Sequence, residues 1–205
     1  MFENTLTREQ KALAGNLLPK LSGFYLVGGT ALALQIGHRR SLDFDLACSE
    51  QINSFDLERK LISKGFKIEQ VFTSTIDEFS ILIQETKVTF FYFPFDVAHD
   101  TNWSHGQIEM PDIVDLGAMK AYALGRRNQW KDYVDLYFLL KFRHPLQSII
   151  ERASKMFSPN FNEKLFREQL CYFEDIDFSE TIDYLDFAPD DEEIKEFLEA
   201  VAIQI

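Results

Sequence analysis

The chain has 205 residues, 46% of them hydrophobic and 26% charged, which excludes disorder as its main state and allows a core without disulfides or structural metal. Its two cysteines, Cys48 and Cys171, show no CxxC or Cys/His spacing, which excludes a zinc or disulfide scaffold and suits a reducing cytoplasm. The formal net charge of −12 is concentrated in residues 174–199, where twelve Asp or Glu face one basic residue, Lys195. The rest of the chain is near neutral, so a phosphate-bearing partner is compatible with its field, and the acidic tail is expected to be a solvated helix and loop surface.

The opening MFENTLTREQ lacks a basic start followed by an apolar run, and no apolar stretch approaches the ~18 residues of a spanning helix. A cytoplasmic protein with no membrane partner is expected. From Leu6 to Leu21, Leu13, Leu17, Leu18 and Leu21 recur at helical spacing behind Thr7, which predicts an amphipathic helix. After Gly23, FYLV reads as a strand running into Gly28-Gly29-Thr30, and ALALQIGH as a helix ending near Gly37. Ser41 to Ala47 alternates strictly, so this strand is expected to place Asp43 and Asp45 on one face and Leu42, Phe44 and Leu46 on the other, toward the core.

Phe55 to Lys64 reads as a helix, and GFKIEQVF, EFSILIQ and KVTFFYFPF as three strands of a meander, with a tight link at Glu85-Thr86 and a stop at Pro94. His99 and His105 flank Trp103 in what reads as a loop, with a spacing that fits no helical metal pair. From Pro111 onward the apolar period becomes 3.6, over Asp112–Arg126, Trp130–Phe142, Leu146–Phe157, Asn162–Phe173 and Asp191–Val201. One compact unit is expected, an α/β part over residues 1–110 and a helical part over 111–205 packed on it.

Two features carry chemistry. Glycines let a backbone approach a ligand closely, and a helix starting at Gly28-Gly29-Thr30 would offer unpaired N–H groups and a positive dipole end to a phosphate. Same-face carboxylates on a strand sit about 6.5 to 7 Å apart at Cα, repel each other, and become favourable with a cation between them. Asp43 and Asp45 are therefore candidate ligands for Mg²⁺ or Mn²⁺, which accept one or two carboxylates and complete their shells with water and substrate phosphates. Ser41 reads as a turn hydrogen-bonder, since no His/Asp relay accompanies it.

The strand ending in Gly-Gly, the short helix and the Asp-Phe-Asp strand resemble the signature of the DNA polymerase β-like nucleotidyltransferase superfamily. More narrowly, VGGTALALQIGHRRSLDFDL is similar to the AbiEii/AbiGii-type toxin family, through Gly28 to Leu32, then Gly37, His38, Arg39, Ser41, Asp43 and Asp45. A second block agrees: Asp112 to Lys120, followed by Lys131-Asp132-Tyr-Val-Asp135-Leu-Tyr137, resembles the family's lysine-bearing helix and its later [RK]-D-x-x-D-L-Y segment.

The resemblance implies an α+β fold, a polymerase β-like core of mixed sheet and flanking helices followed by a helical C-terminal half. It implies a nucleotidyltransferase toxin that moves an NMP from an NTP to an RNA, such as a tRNA 3′ end, or to a protein hydroxyl, with a cognate antitoxin as a candidate partner. Asp43 and Asp45 would hold the metal, Gly28, Gly29 and Thr30 would cradle phosphate oxygens, Lys120 would contact phosphate, and Asp132 would orient lysine or acceptor. Arg39 and Arg40 stand either as candidates for the γ-phosphate or as complements to a helix C-terminus, and Ser41 joins Arg39 in the candidate nucleotide-binding set. Asp135, four residues after Lys131, reads locally as half of a surface ion pair. The superfamily's third carboxylate is missing: its matching position is Thr89, a hydroxyl without charge. An enzyme that works with one metal, and a protein that binds nucleotide without transferring it, both remain open at this point.

Overall fold

A computed structural model describes residues 1–204. Helix α1, Arg8–Leu17, starts on a capping box in which Thr7 and Gln10 satisfy each other's backbone N–H groups. It is followed by β1, Tyr25–Val27, and α2, Gly28–Ile36, so both glycines already lie in the first turn of the helix. Strand β2, Phe44–Cys48, begins later than its alternation suggests. Asp43 therefore sits just ahead of the strand, and Leu42, expected in the core, is 61% exposed.

Helix α3 spans Ser54–Ser63, and the meander comprises β3, Gln70–Ser74, β4, Glu78–Ile83, and β5, Thr86–Tyr92. The first meander strand is shorter than GFKIEQVF predicts, because it starts only at Gln70, with the Glu69 N–H donating to the Leu82 carbonyl at its edge. The sheet order is β1-β2-β5-β4-β3, with β2 and β5 parallel and the other neighbours antiparallel. This is a mixed sheet. In the β2–β5 register, Asp45 lies directly beside Thr89, and Thr89 faces Ser80 on β4.

The stretch expected to be a loop around Trp103 instead forms a hairpin of β6, Thr101–Trp103, and β7, Ile108–Met110, with His105 in its turn. Trp103 is buried, and its indole N–H donates to Glu3 at 3.1 Å. Five helices follow: α4, Ile113–Ala123, α5, Trp130–Phe142, α6, Leu146–Phe157, α7, Glu163–Leu170, and α8, Asp191–Ala202. Among the described residues no helix is long and apolar enough to cross a membrane.

One apolar core runs through both parts of the chain. Leu26, Phe44, Leu46, Val88 and Phe90 of the sheet join Leu32 and Leu34 of α2, Leu116 of α4 and Val134, Leu136 and Leu139 of α5 in it. Gly117 shows how closely the helices approach, since a Cβ there would lie 2.7 Å from Ile149 and 3.1 Å from Leu139. This packing brings α4 and α5 against α2, and so sets their polar residues beside the glycine turn.

Candidate active site

Helix α2 begins without a side-chain cap, because its N-cap position is Val27. Its first-turn N–H groups therefore have no side chain to satisfy them, a setting suited to an anion. Gly28 is required there twice over. Its φ is +70°, and a Cβ would overlap the Oδ2 of Asp45. The carboxylate thus lies directly against the helix start.

The loop carrying Asp43 is fixed from behind. Gln10 of α1 donates to the Ser41 carbonyl at 2.9 Å, the Ser41 N–H donates to the Thr5 carbonyl at 3.3 Å, and the Thr30 hydroxyl lies 2.8 Å from the Ser41 hydroxyl and donates to the Asp43 carbonyl. Thr30 and Ser41 are both buried. Their side chains are consumed in holding Asp43 in place, which leaves only the Thr30 backbone for a ligand.

A cavity of about 390 Å³ opens between the sheet and α4. Gly28, Asp45, Thr89 and Phe91 line its sheet side, and Lys120 and Tyr122 its helical side. The exposed Arg126 and Arg127 add positive charge. Asp43 and Asp45 are half-buried, and burial raises both carboxyls above the ordinary range, with Asp43 adding to the effect on Asp45. The pair therefore lacks enough cation. Its donors are all oxygen, and among the described residues no group of three His, Cys, Asp or Glu forms a metal cluster. Two carboxylates beside open space fit Mg²⁺ or Mn²⁺, whose other ligands come from phosphates and water.

The second carboxylate pair is built differently. Asp132 accepts from Lys120 Nζ at 2.6 Å and from Arg127 Nε and Nη2 at 2.7 and 2.9 Å. Asp135, fully enclosed, accepts from Arg39 Nε and Nη2 at 2.7 and 3.0 Å, pairs with Lys120 at 2.6 Å, and lies 2.7 Å from His38 Nε2. A carboxylate accepts, so His38 carries its proton on Nε2. Burial alone would raise both carboxyls, but Arg39 and Lys120 at Asp135, and Lys120 and Arg127 at Asp132, outweigh it and hold them low. Burial lowers the His38 imidazole, which is consistent with a neutral ring.

Several expectations from local spacing change here. Asp135 does not pair with Lys131 on the surface, because Lys131 Nζ bonds Glu180 at 2.7 Å while Asp135 points into the core. Arg39 does not face the cavity, because its guanidinium is enclosed on Asp135 and braces Gly29 from below, where a Cβ would lie 2.5 Å from Nη2. Arg40 remains outside and pairs with Asp183 at 3.4 Å. Arg127 carried no motif signal and is visible only through its fork onto Asp132. Lys120, Asp132, Asp135, Arg39 and Arg127 together hold three cations on two carboxylates, which leaves a positive surplus behind the cavity.

Residues 11–203 match the family model described as "Nucleotidyl transferase AbiEii toxin, Type IV TA system". The uncharacterized protein aq_aa25 of Aquifex aeolicus (strain VF5) is 31% identical over 177 residues, covering 85% of this chain and 84% of that protein. The crystal structure of JHP933 from Helicobacter pylori aligns with a TM-score of 0.58 at 20% identity, over 98% of this chain and 90% of the other. MenT4, nucleotidyltransferase toxin Rv2826c from Mycobacterium tuberculosis H37Rv, aligns with a TM-score of 0.55 at 12% identity, over 95% of this chain and 80% of its own. At these identities the two structures share the fold. With the family model matching from Lys11 to Ile203, the chain belongs to the AbiEii nucleotidyl transferase toxins of type IV toxin–antitoxin systems and is a nucleotidyltransferase.

Proposed function

We propose that this toxin moves a nucleoside monophosphate from a Mg²⁺-bound NTP to a hydroxyl of an RNA, such as a tRNA 3′ end, or of a protein, in the cytoplasm and under the control of a cognate antitoxin. A phage-defence role fits the same chemistry. The observation that carries this reading is the convergence of Asp45 on the glycine turn, where only a residue without Cβ leaves room for the carboxylate.

Each group then has a part. Asp43 and Asp45 would hold the divalent metal, which when bound neutralises phosphate charge and orients the α-phosphorus for attack. The first-turn N–H groups of Gly28, Gly29 and Thr30 bind phosphate oxygens. Lys120, 2.6 Å from both Asp132 and Asp135, presents a fixed ammonium to the cavity and stabilises negative charge there. Asp132 orients Lys120 and Arg127. Arg39, Ser41 and the Thr30 hydroxyl position the glycine turn and the Asp43 loop. The acceptor hydroxyl releases its proton to solvent as its oxygen bonds to the α-phosphorus, the bond from the α-phosphorus to the oxygen bridging to the β-phosphate breaks, and that oxygen leaves with pyrophosphate.

The test is transfer from each α-labelled NTP, with Mg²⁺ or Mn²⁺, to pooled RNA or cell lysate, comparing the wild-type chain with Asp43→Ala/Asp45→Ala. Label on a nuclease-sensitive product from the wild type alone supports an RNA acceptor, and label on a protease-sensitive one a protein acceptor. Equal labelling by the double variant overturns the site.

A further inference from the structure

Among the described residues, Asp45 and Glu78 are the two carboxylates that line the cavity. They are linked across the sheet. Asp45 lies beside Thr89 in the parallel register, Thr89 faces Ser80 across the antiparallel β4–β5 pair, and Glu78 precedes Ser80 by two residues. Residues two apart on a strand share a face, so Glu78 projects to the same side as Asp45 and Thr89, while Phe79 and Ile81 enter the core on the other side. Glu78 is thus the diagonal cross-strand neighbour of Thr89, about 7 to 8 Å away, a separation that a long side chain spans.

The backbone of Glu78 is pinned and its carboxylate is not. Its N–H donates to the Thr75 hydroxyl at 2.9 Å, and its carbonyl accepts from the Thr75 N–H at 2.7 Å. Its side chain is half-buried, yet it makes no hydrogen bond or ion pair among the described residues. The cations that line the same cavity are committed elsewhere. Lys120 is held by Asp132 and Asp135, Arg127 forks onto Asp132, and Arg126 donates to the Tyr122 and Asn160 carbonyls at 2.6 and 3.0 Å. An ionised carboxylate only accepts, so the complement that Glu78 lacks is a proton donor.

Nucleotidyl transfer brings such a donor into the cavity. The attacking hydroxyl sheds a proton as its oxygen bonds to the α-phosphorus, and Thr89, a neutral hydroxyl, is a poor base for it. We propose that Glu78 is the proton acceptor for the attacking hydroxyl, an inference that rests on the nucleotidyl-transfer reading above. One Glu78 Oε takes the hydroxyl proton while the new oxygen–phosphorus bond forms and the bond to the bridging oxygen breaks, and Glu78 then passes that proton to solvent. The carboxylate missing at Thr89 is thereby supplied from the next strand, by a side chain one methylene longer than aspartate.

Single-turnover transfer from α-labelled NTP to pooled RNA or cell lysate, beside calorimetric titration of the full chain with the same Mg-NTP, tests this. Glu78→Gln keeps the size of the side chain and removes its basicity, so transfer is expected to fall by about 10²-fold with Mg-NTP affinity unchanged. Glu78→Ala is expected to lose as much and to regain part of the rate in added formate, a small carboxylate base, a recovery that a merely structural residue would not show. Transfer by Glu78→Gln within about threefold of the wild type, or a loss of Mg-NTP affinity as large as the loss of rate, overturns the inference. The nucleotidyl-transfer reading then still stands if wild-type transfer requires metal and is lost in Asp43→Ala/Asp45→Ala. A wild type that transfers no label, or a double variant that transfers as much, overturns that reading and the inference with it.

Discussion

The two aspartate pairs of this protein are the same chemical groups in opposite electrostatic states. Asp132 and Asp135 are enclosed by Lys120, Arg127, Arg39 and His38 and held below the ordinary carboxylate range. Asp43 and Asp45 are less enclosed, Asp45 lines the cavity, and burial holds both above that range. A saturated pair has no affinity left for a ligand and serves to fix cations. A pair that lacks cation is kept under-neutralised by the fold, and it is the one proposed above for the metal. Residue type and spacing do not make this distinction; the number of cations that the tertiary structure delivers does.

The largest expected effect separates the pairs by stability. Asp135→Ala strands buried Arg39 and Lys120 without their common partner and is expected to cost about 3 to 5 kcal/mol in urea unfolding. Asp45→Asn removes a charge that the fold disfavours, so it should leave stability at neutral pH unchanged or higher while transfer falls by about 10²- to 10³-fold. If Asp45→Asn unfolds as readily as Asp135→Ala, the contrast between the pairs is broken.

Titration sharpens the same contrast with opposite signs. Asp132 and Asp135 have lowered values, so the stability they contribute is present above the unfolded carboxyl value of about 3.9 and is lost as pH falls through their folded values. His38, also lowered, adds loss in the same direction, beginning below about 6.5, where the unfolded imidazole takes up a proton that the folded one refuses. Asp43 and Asp45 have raised values, so their contribution is present at low pH and is lost as pH rises through those values. Thermal unfolding without metal should therefore show Asp45→Asn gaining on the wild type as pH rises above the carboxyl range. Added Mg²⁺ should stabilise the wild type increasingly over the same window and Asp45→Asn much less.

Much of this was legible from local pattern. FYLV, the glycines and ALALQIGH match β1 running directly into α2 at Gly28, and the alternation from Ser41 to Ala47 matches β2 over Phe44 to Ala47. The fate of Leu42 was not legible, because alternation reports which residues share a face but not where the ladder starts, and β2 starts at Phe44. The hairpin around Trp103 escaped notice because three-residue strands are too short to show a period. Asp135 was misread for a more general reason. On its own helix it stands four residues from Lys131, a sufficient surface partner, but its real partners Arg39 and His38 lie 96 and 97 positions earlier and arrive only when α2 packs on α5. Arg127 and Glu180 lie outside periodic segments and gained meaning only from what they touch.

Gly28→Ala carries the next smaller effect. An L side chain at φ +70° costs about 1 to 2 kcal/mol, and the new Cβ would push Asp45 from its position, so transfer should fall alongside stability.

The smallest effect tests the neutral position beside the proposed metal-binding pair. Thr89 stands next to Asp45 in the parallel register, where the superfamily resemblance expects a third carboxylate, and its hydroxyl lies 3.1 Å from that of buried Ser80. A threonine hydroxyl holds no charge at neutral pH and provides neither a metal-binding anion nor a proton acceptor of useful strength. Thr89→Val keeps the branched shape and removes only the hydroxyl, leaving Ser80 unpartnered at a cost of about 1 kcal/mol. If the site works with two carboxylates, transfer by Thr89→Val should fall by less than about tenfold, equivalent to under 1.4 kcal/mol in the barrier. A loss as large as that of Asp45→Asn would mean that Thr89 Oγ1 takes part in the reaction, and that the division between a charged, metal-binding pair and its neutral neighbours is drawn in the wrong place.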